Sequence, residues 1–348
     1  MTMQTNTQNN TNDIMVENKK FGIVIEKWRI LMLIVFAILA FAGISCSIMA
    51  GAVTIPFDEI RAIIFDGSVG AHQQILMNIR LPRTIVAALV GVNLAISGAI
   101  LQAVMKNPLA DPQIIGISSG AGLAGILVIV IFPAMEYLIT PIAFLGAMFA
   151  AVCIYSLAWK NGIRPLRIIL AGVAVSAFLG AGISAILILY SDKVSGALMW
   201  MVGGLAARSW PHVEIIVPYA IVGFILAMIG SRHLNILQLG DDIAKGLGVN
   251  VEVTRIVLTA IASLLAASAV SVVGLLGFVG LIVPHTARLL IGTDYRFLIP
   301  ASAMLGIAVV TLSDTFARTA FAPMELPVGI FMAALGVPFF LFLLRREL

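Results

Sequence analysis

A chain of 348 residues that is 61% hydrophobic and 11% charged, with a mean hydropathy of +1.08, has too few charges to coat a water-facing sphere, since soluble domains carry about 25%. Lipid is the natural solvent for most of its surface. The net charge of +4 comes without any basic stripe, which argues against a nucleic-acid partner, and Cys46 and Cys153 sit in apolar runs with no spacing that suits zinc.

Residues 1–20 are rich in Asn and Thr and nearly free of periodic apolar residues. The stretch 1–27 is therefore expected to be a disordered cytoplasmic tail. It is not expected to be a signal peptide, because the polar lead is long and the run behind it is long enough to span.

Residues 28–348 read as a single transmembrane domain. A bilayer core of about 30 Å needs about 20 helical residues. Runs that meet this lie at 28–50, 84–105, 114–133, 140–159, 166–190, 213–231, 256–275, 280–293, 298–313 and 328–344, the eighth and ninth being the shortest. The fold class is thus all-α, an integral membrane protein of ten transmembrane helices. Ten spans put both termini on one side. Of the 21 Lys and Arg, this topology places fifteen on the terminal side and six opposite, which makes the terminal side cytoplasmic. Small residues four apart, as in Gly91 with Ala95 and Gly116 with Gly120, predict helices packed backbone to backbone.

Nearly every acid and base falls in a loop or at a span end. Ion-driven carriers place ionisable groups mid-membrane, so their scarcity counts against that class. His285, after Pro284, is the nearest exception and reads as a hydrogen-bonded structural residue. No GxxxxGK[ST] phosphate loop, GxSxG, HExxH or carboxylate pair occurs. The chain is not expected to be an enzyme, and any ATP that drives it belongs to a separate polypeptide.

Four motif blocks run along the chain. The first is Arg80-Leu-Pro-Arg-Thr84 leading into Gly91-Val-Asn-Leu-Ala-Ile-Ser-Gly98, Gln102, Asn107-Pro-Leu-Ala-Asp-Pro112 and Gly116-Ile-Ser-Ser-Gly-Ala121. The second is Leu239-Gly-Asp-Asp-Ile-Ala-Lys-Gly-Leu-Gly-Val249. Next is Gly277-Phe-Val-Gly-Leu-Ile-Val-Pro-His285, with Arg288 and then Asp314 to Arg318. The last is Glu325-Leu-Pro-Val-Gly329 with Gly336-Val-Pro-Phe-Phe340. Together they resemble the FecCD family of ABC importer permeases over roughly residues 28–348; the long polar tail is the one departure.

The resemblance implies a type II ABC importer permease fold and no cofactor in this chain, ATP and Mg²⁺ being bound by the partner ATPase. The implied partners are a second permease subunit (the same chain or a sibling), two cytosolic ATPases, an extracytoplasmic substrate-binding protein and the lipid bilayer. Iron–siderophore complexes are the expected cargo, with haem and cobalamin as alternatives; a channel, an ion-driven carrier or a scaffold would be the competing classes. No metal need touch the chain, because iron arrives inside its chelator.

Within the blocks, residues near 239–249 are expected to form a short cytoplasmic helix in a loop of some two dozen residues, started by Asp241 and Asp242 and ended by Gly246 or Gly248. It is either a surface connector or, as the resemblance implies, the coupling helix that engages the ATPase through Leu239, Gly240, Asp241, Asp242, Ala244, Leu247 and Gly248. Arg80, Arg83 and Arg318 are either snorkelling residues or, by the resemblance, partners for glutamates of the binding protein. Asn107 to Pro112 is a tight turn. Gly274, Gly277, Gly280 and Pro284 break helical regularity at membrane depth, which places them inside the assembly. In the family a short helix near Met199, Trp200 and Gly203 forms an external gate; these residues serve equally as packing.

Overall fold

The computed structural model describes residues 3–51, 53, 55–65, 70–113, 115–160 and 165–347. Among them there are helices and no strand. The apolar helices, in chain order, are α1 (Met3–Met49), α2 (Leu81–Val104), α3 (Ile117–Ile131), α4 (Ile139–Ala158), α5 (Pro165–Leu189), α6 (Trp210–Gln238), α7 (Val251–Val273), α8 (Val279–Ile291), α9 (Tyr295–Thr319) and α10 (Val328–Glu347). Seven of the apolar segments are long enough to cross a bilayer by length and composition, while those of α3, α8 and α10 are shorter. Each expected span has its helix.

The boundaries differ in four places. Helix α1 begins at Met3 rather than at its span, Glu26–Met49, so the stretch expected to be a disordered tail continues as helix; no proline interrupts it. Helices α6 and α7 extend to Gln238 and Val251, which shortens the loop between them to residues 239–250. Helix α9 runs on to Thr319, past the charges taken as its end. Helix α2 is entered through a π-turn at Leu76–Arg80. Arg164 lies outside the described residues, as do the side chains of Lys19, Lys20 and Arg346.

Burial separates centre from rim. In α2 and in α7, 78% of the apolar window is buried, against 17% in α5. Helix α2 packs on α6, α7, α8 and α9, and α1 leans on α9. The outer faces carry Leu170 and Phe178 of α5, Phe149 and Leu157 of α4, and Ile225 and Ile229 of α6, all exposed. In water such patches are liabilities; in a bilayer they are the solvated face.

The centre closes because its helices touch through small residues. A Cβ at Gly98 would overlap the carbonyl oxygen of Gly280 on α8, and Gly91 and Gly306 stand against each other's backbone between α2 and α9. Gly120 and Gly146 do the same for α3 and α4. At this distance side-chain hydroxyls and amides cross between helices. Asn93 donates to Ser268 (2.9 Å) and Ser97 to the Ala262 carbonyl (2.7 Å), tying α2 to α7.

Candidate functional site

Charged side chains gather at the two ends of the bundle, as the sorting of Lys and Arg predicts. At the end holding the start of α9, Asp294 caps that helix by accepting from the Arg296 amide (3.1 Å). The same carboxylate meets Arg296 Nη2 (2.6 Å), Asn235 Nδ2 (2.8 Å) and Arg29 Nη1 (3.5 Å). The bond from Arg296 outweighs desolvation and holds Asp294 at a pKa of about 2. Trp28 donates to the Leu290 carbonyl (2.8 Å), so α1, α6, α8 and α9 are clasped together here.

Beside this clasp lies the loop between α6 and α7. Its helix, Asp241–Gly246, is capped by Gly240, whose φ of 111° suits glycine; Asp241 and Asp242 follow in the first turn instead of capping it. Gly248, at φ 80°, stops the helix, and the Val249 amide closes the turn on the Ala244 carbonyl (3.0 Å). Ala244 is fully buried, whereas Leu239, Ile243 and Leu247, four residues apart, are each more than half exposed. Ile243 lies on this helix and Leu247 at its end, while Leu239 closes α6 just before Gly240 turns the chain, so three large apolar side chains stand exposed around the loop helix.

Asp241 fastens this helix to the core. Its Oδ1 accepts from Lys106 Nζ (2.7 Å), just past the end of α2, and from Arg255 Nη2 (2.9 Å) on α7. Burial works to raise its pKa, but Lys106 and Arg255 prevail and hold the carboxyl below the usual carboxylate range. Sequence reasoning missed Ile243, Lys106 and Arg255 as parts of this unit. The four-residue spacing of Ile243 and Leu247 was a signal for the first; nothing local marks the other two.

At the opposite end, Arg83 grips Asp314 with two parallel bonds, Nε to Oδ2 and Nη2 to Oδ1, both 2.9 Å, and reaches Glu325 with Nη1 (2.8 Å). Arg318 lies 3.9 Å from Asp314 and donates to the Ser47 carbonyl. Arg80 donates to the carbonyls of Ile48 and Met49 (2.9 Å each) and of Val53. All three arginines are less than a tenth exposed. Within the chain, Arg83 and Arg318 pair with Asp314 and let α9 carry a buried carboxylate, while Arg80 and Arg318 donate to carbonyls at the end of α1. Glu325 is the half-exposed charge of the group, its side chain 46% accessible.

Between the ends, Asn107 and Asp111 fold the chain after α2 with side-chain turns, accepting from Leu109 (2.9 Å) and Gln113 (2.7 Å). The turn packs against the break before α8: a Cβ at Gly277 would strike the Gln113 side chain, and one at Gly280 would lie 2.8 Å from Asp111. Phe278 takes φ 67° there, a left-handed conformation held against Gly336 of α10. Pro284 is buried inside α8, and His285 stacks edge-on to Phe339 at 5.9 Å. A short helix, Val194–Val202, ends at Gly203, which pairs with Gly329 (3.0 Å), while Gly204 bonds the Val273 carbonyl (2.9 Å). Trp200 is buried against Gly125, and Met199 is 64% exposed.

The FecCD transport family pattern matches residues 39–346. The Fe(3+)-citrate import system permease protein YfmD of Bacillus subtilis is 39% identical over 91% of this chain and 95% of its own length. The cobalamin import system permease protein BtuC of Halobacterium salinarum is 44% identical over 78% and 74%, and the hemin transport system permease protein HmuU of Yersinia pestis 37% over 91% and 94%. A solved structure described as an inward-facing conformation of a metal-chelate type ABC transporter superposes with a TM-score of 0.81 at 28% identity, covering 90% of this chain and 98% of that one. A multi-pass helical bundle with charged clasps at both ends and this superposition is a type II ABC importer permease. The chain belongs to the FecCD transport family.

Proposed function

We propose that the chain is the permease subunit of an importer for iron(III) chelates, working as half of a permease dimer with both termini in the cytoplasm. Cytosolic ATPases bind ATP and Mg²⁺, and an extracytoplasmic binding protein delivers the chelate. The permease similarities to ferric citrate and hemin systems support an iron chelate; the cobalamin permease similarity keeps a corrinoid as the alternative cargo. The binding protein docks at the end that holds Glu325, with Arg80, Arg83 and Arg318 shaping that surface from beneath. Met199 faces the pathway, and the break at Gly277–Pro284 supplies the hinge.

One observation carries this reading. The helix Asp241–Gly246 and the residues flanking it leave Leu239, Ile243 and Leu247 exposed while Asp241 holds Lys106 and Arg255. An ATPase that grips these side chains would pull directly on α2 and α7, the two most buried long helices. The test is co-purification. A cytosolic ATPase encoded with the chain should stay bound to wild type, and Ile243→Asp with Leu247→Asp should weaken that binding at least about tenfold, as loss of a central apolar anchor does. Undiminished ATPase binding by the double variant would refute the assignment.

A further inference from the structure

Separate from the transport machinery, a groove of about 490 Å³ opens between α4 and α7. Phe144 and Tyr219 pack at 5.1 Å and hold α4 to α6 at one end. Towards the other end no α6 residue lines the groove; its walls are Met148 to Trp159 on α4 and Ile256 to Ser263 on α7. This is the end where the 239–250 loop lies, since α4 stops at Ala158 and α7 starts at Val251. From Met148 to Trp159 the helical rise gives roughly 16 Å, close to the ~15 Å of hydrocarbon in one leaflet.

The depth of the groove holds Met148 and Ala151 beside Ser263, and Ile256 lies nearer the mouth, because α4 and α7 run antiparallel. One turn inside Trp159 the Tyr155 hydroxyl is buried facing Thr259, and neither has a further partner; the buried Ser263 hydroxyl has none. At the mouth Trp159 is half exposed, as aromatic residues at a membrane interface are. Next to it come Lys160 and Arg167, whose guanidinium bonds the Lys160 carbonyl; Glu252, one turn before Ile256, is the acid on the α7 side. The mouth is net basic.

We propose that this groove is a binding site for one anionic glycerophospholipid of the adjacent leaflet. The acyl chain lies along α4 and α7, and the phosphate sits at Lys160 and Arg167. Length fits a single acyl chain, and the basic mouth beside Trp159 suits an anionic headgroup.

The full-length chain, reconstituted in vesicles of phosphatidylglycerol and phosphatidylethanolamine, is photolabelled with phosphatidylglycerol bearing a diazirine on its acyl chain, and the labelled peptides are mapped. Label should concentrate in 148–159 and 256–263. Ala260→Trp fills the groove at an exposed position and should abolish that concentration, whereas Val173→Trp on the outer face of α5 should not. Lys160→Gln with Arg167→Gln should lower the preference for phosphatidylglycerol over an equally labelled phosphatidylethanolamine by about fivefold per charge. Label spread evenly over α4, α5 and α6, or labelling unchanged in Ala260→Trp, would overturn the site. So would absence of label at 148–159, which is the result if a second permease copy covers the groove.

Discussion

Asp314 sits between two arginines and is 1% exposed. A buried carboxylate is tolerable only when fully paired, and removing one member of such a pair costs about 3–5 kcal/mol because the other charge is left stranded. Asp314→Asn should therefore lower the thermal midpoint of the detergent-solubilised protein sharply. Glu325→Gln should lower it much less, because a half-exposed partner is screened by water. The Asp294 clasp answers to pH. Its folded pKa of about 2 lies below the unfolded value of about 3.9, so its stabilisation is complete above about 3.9 and fades as pH falls towards 2. The gap in thermal midpoint between wild type and Asp294→Asn should be constant from pH 8 to pH 5 and should close below pH 4.

Among the elements, the seam of α2 against α8 and α9 is set by backbone contact. Gly98→Val would push a branched side chain into the Gly280 carbonyl; overpacking of this kind costs about 1–3 kcal/mol or more, and the folded yield should collapse. Gly246, in the 241–246 helix, has nothing within 4 Å of a would-be Cβ. Gly246→Ala should be tolerated and should slow amide exchange in residues 241–247, since alanine favours helix by about 1 kcal/mol over glycine. Equal damage from the two substitutions would mean that the packing at Gly98 is not what holds α2 in place.

Across the whole molecule, α2 runs from Arg83 at one clasp to the Lys106–Asp241 tether at the other. A rigid, buried helix with a charged fastening at each end passes displacement along its length rather than bending. Asp241→Asn should therefore uncouple transport from ATP hydrolysis while leaving the thermal midpoint nearly unchanged, because Asp241 is more than a third exposed and contributes little to stability. ATP hydrolysis by the assembled complex should persist while chelate uptake falls. Uptake that stays normal would show that the tether does not carry the motion.

The number and order of the apolar helices, the sorting of charge to two ends and the exposed segment at 239–249 were all written in the sequence, because hydrophobic length, charge bias and glycine punctuation are local properties that a membrane enforces strongly. The tertiary structure alone decided the rest. That α9 continues through Asp314 and Arg318 depends on Arg83, 231 residues away, since only a distant cation makes the buried carboxylate affordable. That Arg83 and Arg318 also brace the chain internally follows from the same pairing. Asp241 became a tether instead of a cap because Lys106 and Arg255 arrive from other helices, and pairings between elements leave no trace in the spacing of either one.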